Sequence, residues 1–240
     1  MKIGIILDPL SSLKLKKDST IAIMTEAAAR GHEIHVMMQE AVMWKAGQVV
    51  GENLRLDLAD GLAGGSGHAA TAGDKDHWYR ASPPVEMPLS GFGAVLMRKD
   101  PPFDAEYITS TWLLEQAVRD GARVFNDPRS VRDHSEKLAI MQYAQFTVPT
   151  LVTRLADQIH DFIDTNGDVI VKPLDGMGGE SVFRVTDTDS NRYVIVETVT
   201  GHGSRTVMVQ RFIPEIREGD KRILLIGGEP VPYCLARIPR

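Results

Sequence analysis

A chain of 240 residues is long enough for one large domain or two smaller ones, with a sizeable core. Its 43% hydrophobic and 25% charged content suits a soluble globular protein, and its formal charge of -5 argues against a broad nucleic-acid surface, so a phosphate ligand would need a locally positive pocket. A single cysteine, Cys234, excludes an internal disulfide and a cysteine metal cluster. No apolar run reaches membrane-spanning length and Met1 to Asp8 is too short for a signal segment, so a cytoplasmic protein without membrane or nucleic-acid partners is expected.

Lys2 to Leu7 reads as a buried strand ended by Asp8 and Pro9. A polar loop with Lys14, Lys16 and Lys17 follows. Asp18 or Ser19 can cap a helix that carries Ile21, Met24, Ala27 and Ala28 at helical spacing and stops at Gly31. Glu33 to Met38 alternates, with Ile34 and Val36 on one side. This β-α-β opening predicts a parallel α/β sheet, and ligands of such sheets sit at the carboxyl ends of strands, where Asp8 and the lysine loop fall. A short hairpin is expected over 46–58, then a surface loop from Gly61 to Gly73. In that loop Gly65-Ser66-Gly67-His68-Ala69-Ala70 matches G-x-G-x-x-A, but no strand precedes it and no clear helix follows, so a dinucleotide site is rejected.

Ala94 to Met97 is a strand, and Arg98-Lys99-Asp100-Pro101-Pro102-Phe103-Asp104 lies at its carboxyl end. The prolines stiffen this loop, so its ionic groups either hold an anionic substrate or form an ordinary solvated strand end. Tyr107 to Asp120 reads as a helix stopped by Gly121, and Arg123 to Phe125 as a short strand. Asn126-Asp127-Pro128 reads as a turn at a domain boundary. Ser135 can cap a helix carrying Lys137, Leu138, Ile140 and Met141. Thr147 to Thr153 is extended, and Ala156 to Thr165 is a helix ended by Asn166-Gly167.

The chain is organised around the stretch from Val169 to Val185. Val169 to Val171 favour a strand, which Lys172 and Pro173 close. Gly176, Gly178 and Gly179 can adopt φ > 0 and carry no Cβ, so the turn can gather backbone N–H groups into an anion nest beside Lys172. Read alone, the segment is equally a nucleotide-phosphate loop or an ordinary glycine hairpin. Tyr193 to Val199 is ambiguous between strand and helix, with a strand favoured by its β-branched residues. Thr206 to Phe212 is a strand closed by Pro214. Asp220 to Ile226 and Glu229 to Ile238 form a hairpin around Gly227-Gly228.

Several long motifs fall in one collinear order: Asp8-Pro9, Lys16-Lys17-Asp18-Ser19, Met97 to Asp104, Lys172 to Gly179, Gly219-Asp220-Lys221-Arg222, and Glu229 to Pro239. Together they resemble the bacterial glutathione synthetases of the ATP-grasp superfamily, over nearly the whole chain. The loop from Gly61 to Gly73 is the least similar part. The resemblance implies an α/β protein in three parts: a parallel-sheet N-terminal domain over 1–126, an ATP-grasp lid subdomain over 127–205, and the start of a C-terminal ATP-grasp subdomain over 206–240. It implies ATP-dependent ligation of γ-L-glutamyl-L-cysteine to glycine through an acyl phosphate. The alternatives weighed are another ATP-grasp carboxylate–amine ligase and an inactive nucleotide-binding protein. The absence of G-x-S-x-G, H-E-x-x-H and Walker A matches agrees with chemistry that needs positioning and charge neutralisation rather than a nucleophilic side chain.

By the same resemblance, Lys137 and Lys172 face phosphates and Gly176, Met177, Gly178 and Gly179 cover them. Gln210, Arg211, Phe212 and Ile213 match the adenine hinge, although the family carries a smaller polar residue at Arg211. Asp220 reaches the ribose, and Arg222 and Arg237 lie near the transferring phosphate or the substrate carboxylates. Asp18, Arg98 and Lys99 are weaker candidates for dipeptide binding. Cys234 reads as a packed small hydrophobe. The cofactors implied are ATP and Mg2+, or Mn2+, and the assembly a homo-oligomer, a tetramer by resemblance. The family's flexible lid and its magnesium ligands lie beyond the position of Pro239, so the 240 residues by themselves are expected to be a poor catalyst and a longer parent a competent one.

Overall fold

The computed structural model describes residues 1–15, 17–59 and 78–238. Lys16, the loop from Gly61 to Gly73 and its G-x-G-x-x-A match lie outside the described residues. The chain divides into two compact units, Met1–Leu138 and Ala139–Arg240.

The first unit runs β1 (Lys2–Ile6), α1 (Ser19–Ala29), β2 (Glu33–Met37), β3 (Val42–Lys45), β4 (Gln48–Leu58), β5 (Tyr79–Ala81), β6 (Val85–Pro88), β7 (Ala94–Met97), α2 (Ala105–Arg119), β8 (Val124–Phe125) and α3 (Pro128–Asp133). Its sheet has the order β3-β4-β2-β1-β7-β8, with β5 and β6 also paired to β4. The parallel sheet read from the sequence is the β2-β1-β7-β8 part. The remaining pairings, all through β4, are antiparallel.

Both faces of this sheet are covered. Ile5, Ile34 and Val36 pack with Ile21 and Met24 of α1, while Ile6, Met37 and Val95 pack with Leu114 and Ala117 of α2. That explains why β2 is buried from Ile34 to Met37 rather than alternating: a central strand has no solvent face. The hairpin turns at Ala46–Gly47, so its first strand is Val42–Lys45, ahead of the expected start. The Asn126-Asp127-Pro128 turn opens α3, with Asp127 accepting from Ser130 N–H and Pro128 in the first turn. The two compact units divide beyond that turn.

The second unit runs β9 (Thr150–Thr153), α4 (Ala156–Asn166), β10 (Asp168–Pro173), β11 (Phe183–Thr186), α5 (Arg192–Thr200), β12 (Val207–Arg211), β13 (Asp220–Ile226) and β14 (Glu229–Arg237). Four strands form an antiparallel sheet in the order β11-β10-β12-β9. The strand period of two sends Val169, Val171, Val185, Val207 and Val209 to one face, where Ile159 and Ile163 of α4 and Val196 and Val199 of α5 cover them. The ambiguous stretch is therefore a helix, because Val196 and Val199 fall one turn apart on the buried side. β13 and β14 form a separate two-stranded hairpin.

One expected helix is replaced by other structure. Leu138–Phe146 adopts 3-10 turns broken at Tyr143 (φ -131°, ψ 38°), and Lys137 precedes it in a turn. Met141 and Phe146 are 65% and 82% exposed, so the segment has no packed apolar face to hold an α-helix.

Candidate functional site

In the second unit Lys172 and Gln210 share the sheet face turned away from α4 and α5. Lys172 pairs with Met208, and Ile170 with Gln210 on one side and Arg184 on the other. All five side chains therefore share that face. Lys172 Nζ donates to Gln210 Oε1 at 2.7 Å, and Gln210 Nε2 donates to Thr150 Oγ1 at 3.0 Å. Gln210 is thus one of the groups that hold the lysine over the sheet.

The glycine turn leaves β10 directly after Pro173. Gly178 and Gly179 take φ of 69° and 84°, and Ser181 takes φ of 56°. Short backbone bonds close the turn, Glu180 N–H to Met177 O and Val182 N–H to Gly179 O, both at 3.3 Å. A Cβ at Gly178 or Gly179 would meet nothing within 4 Å, so backbone conformation, not space, calls for glycine. Gly176 differs: its φ is not positive, and a Cβ there would make ordinary contact with Pro173. Met177 is exposed.

The stretch from Gln210 to Ile213 leaves β12 at the opposite end of the same strands. Arg211 N–H donates to Pro149 O and Phe212 N–H to Asp168 O. Ile213 N–H has no protein acceptor among the described residues, and Ile213 O accepts from Ile216 N–H. Arg184 donates to both oxygens of Asp168, at 3.0 and 2.7 Å, and its guanidinium carbon lies 3.9 Å from the Phe212 ring centre. The bond from Arg184 holds the Asp168 carboxyl below the usual carboxylate range.

On the β13–β14 hairpin, Asp220 stands opposite Arg237, and Arg222 opposite Leu235. Arg237 bonds both oxygens of Asp220. This pairing lowers the Asp220 pKa and raises that of Arg237, with Arg222 adding a smaller lowering on the acid. Arg222 is exposed. The residues expected at ribose and phosphate are thus partners of one another here.

In the first unit Asp18 is the N-cap of α1 and accepts from Thr20 N–H at 2.7 Å. Arg98, just beyond β7, donates to the Ser19 and Thr20 hydroxyls at 2.8 and 3.2 Å. Lys99 pairs with Asp8 at 2.7 Å, and the other Asp8 oxygen accepts from Asp100 N–H at 2.8 Å. The ends of β1, β7 and α1 thus gather three carboxylates and two cations. Burial first, then the Asp8 and Asp18 charges, raise the Asp100 pKa against the opposing pull of Arg98 and Lys99. Lys99 is engaged by a carboxylate, whereas the bonds to Arg98 come from hydroxyls. Lys137 is partly buried in the turn after α3. Among the described residues no group of three or more His, Cys, Asp or Glu is placed to hold a metal.

Two family models match: the prokaryotic glutathione synthetase N-terminal domain over residues 1–132 and the prokaryotic glutathione synthetase ATP-grasp domain over 136–240. The chain belongs to the prokaryotic glutathione synthetase family. A glutathione synthetase of Nitrosomonas europaea is 54% identical over all of this chain and 72% of its own length. That of Ralstonia nicotianae is 55% identical over all of this chain and 70% of its own. Among solved structures, a RimK domain ATP-grasp protein from Sphaerobacter thermophilus has a TM-score of 0.55 at 21% identity, covering 93% of this chain and 69% of its own, a likeness of fold alone. The ATP-grasp fold implies ATP binding and the use of a divalent metal.

Within that family frame, Thr150, Asp168 and Arg184 were not singled out from sequence. Arg184 had a local signal: Phe183-Arg184-Val185 alternates, and Val185 is the buried member. Its partnership with Asp168 and Phe212 depends on the register of three strands, which the sequence does not display.

Proposed function

We propose that this protein joins γ-L-glutamyl-L-cysteine to glycine with ATP, giving glutathione, ADP and phosphate. A carboxylate is a poor acceptor for an amine because oxide would have to leave. Transfer of the γ-phosphoryl group to the cysteinyl carboxylate makes an acyl phosphate. The glycine nitrogen then attacks the carbonyl carbon, the C–O bond to phosphate breaks, and phosphate departs. The protein's part is to position the reactants and neutralise charge.

The observation that carries this reading is the bond between Lys172 and Gln210 on one sheet face, with residues 211–213 continuing directly from Gln210, in a chain of this family. In it, Lys172, Lys137 and the turn from Gly176 to Gly179 bind the phosphates. Ile213 N–H meets the adenine edge, since the preceding two N–H groups are taken by Pro149 and Asp168. Asp220 takes the ribose, and Arg222 and Arg237 take the transferring phosphate or a substrate carboxylate. In the first unit Arg98, supported by Asp18 and Lys99, binds the dipeptide. Mg2+, or Mn2+, is the expected metal; the described residues do not by themselves build its site. A cytoplasmic homo-oligomer, a tetramer, is the expected assembly.

Mass-spectrometric product analysis with ATP, Mg2+, γ-glutamylcysteine and a panel of amines tests the proposal. Glutathione from glycine, with other amines giving far less, supports it. Equal or better yield from another amine would move the protein to a different carboxylate–amine ligase.

A further inference from the structure

Past Arg211 the β12 ladder ends, yet the next two residues are the ones the nucleotide reading asks to be fixed. Backbone recognition of a base works only if the peptide groups stand still, because a side chain can swing to follow its ligand and an N–H cannot. Ile213 is 48% exposed, and packing does not hold it. What holds the stretch is Asp168, from two directions. Its carbonyl accepts from Phe212 N–H at 2.9 Å. Its carboxylate binds both Nε and Nη2 of Arg184, whose guanidinium lies against the Phe212 ring. Arg184 sits on β11, Asp168 on β10 and Phe212 just beyond β12, so three strands are laced at one corner.

We infer that Arg184 and Asp168 are positioning residues for nucleotide binding: they clamp Phe212, and thereby fix the Ile213 N–H for the adenine edge. The inference rests on the nucleotide site proposed above. Arg184 is engaged by the Asp168 carboxylate and the Phe212 ring, and in this proposal it is not a phosphate ligand. Its effect is therefore confined to the base end of the ligand, and this separates it from Lys172 and from general loss of fold. Both features of the guanidinium matter: the planar fork bonds Asp168 at two points, and its flat face lies on the ring. A lysine would keep the charge and lose both.

The test is equilibrium binding of ATP and of inorganic tripolyphosphate, each with Mg2+, to the wild-type protein, R184A, R184K, D168N and K172A. R184A should weaken ATP about threefold to tenfold, the scale of one cation–π contact together with its bonded support. Tripolyphosphate affinity should stay within about twofold of wild type, since it has no base to be positioned. D168N should behave like R184A, and R184K should recover little. K172A should weaken both ligands. If R184A leaves ATP affinity unchanged, or weakens ATP and tripolyphosphate equally, the clamp is refuted. If K172A changes neither ligand, the nucleotide site itself is misplaced and the clamp falls with it.

Discussion

Lys172 and Gln210 are bonded across neighbouring strands at 2.7 Å, and Gln210 is itself anchored to Thr150 at 3.0 Å. The three residues lie on β10, β12 and β9. A long ammonium side chain that would otherwise sample many rotamers is thereby brought to one place before any ligand arrives. Replacing the cation should do much more harm than replacing its support. K172A should weaken ATP binding roughly tenfold to a hundredfold, the scale of a lost charge-assisted bond. Q210L should weaken it only about twofold to fivefold, since the charge remains. Isothermal titration with both variants checks the ordering.

The glycines of the turn should not be equivalent. Gly178→Ala and Gly179→Ala force a Cβ into the left-handed region, at a cost of about 1–2 kcal/mol each. Gly176→Ala adds only an ordinary contact with Pro173 and should leave stability nearly unchanged. Urea unfolding midpoints for the three variants decide this, and a G176A variant as unstable as G178A would contradict it.

Gly219 has a different reason to be glycine. Its φ is 102°, and a Cβ there would run into the Arg237 carbonyl group. It therefore admits the close strand approach that sets Asp220 against Arg237. Gly219→Ala should part this pair, and the nucleotide affinity of G219A should fall together with that of D220N. Retained affinity in G219A would show that the hairpin geometry is not needed.

Two carboxylates should contribute to acid sensitivity. Asp168 and Asp220 are both held below their ordinary range by an arginine. A depressed folded-state pKa adds stability that is present above the unfolded value, near about 3.9, and is lost as pH falls through the folded value. The groups are partly exposed, so the effect is small. Stability measured from neutral pH down to about pH 2 should decline less steeply in D168N than in the wild type over this acid range. Identical slopes would mean that the Arg184 pair does not outlast solvent screening.

In the core of the second unit, Ile163 of α4 is fully buried against the valine face of the sheet. Ile163→Ala should cost about 2–4 kcal/mol, read as a lowered urea midpoint.

Much of this was readable in the residues. A helix cap at Asp18 or Ser19, the strand Ala94–Met97, the strand begun by Val169 to Val171 and the hairpin around Gly227-Gly228 follow from local chemistry. Local chemistry also set Lys172 beside the glycine turn, without deciding between a phosphate loop and an ordinary hairpin. Three things were not readable for physical reasons. Leu138–Phe146 has helical spacing but no face to bury, so its pattern has no packing to act through. Gly176 looks like Gly178 and Gly179 in sequence but differs in φ. The Arg184–Asp168–Phe212 corner joins residues from separate strands, and only their register brings them together.

The most direct test of the central claim follows oxygen. γ-Glutamylcysteine labelled with 18O in its cysteinyl carboxylate is given to the protein with ATP, Mg2+ and glycine. Activation through an acyl phosphate transfers one labelled oxygen to the released phosphate for each glutathione formed. Mass spectrometry should find that oxygen in phosphate at the same rate as glutathione appears. Glutathione formed with unlabelled phosphate, or ATP cleaved without glutathione, would contradict the account.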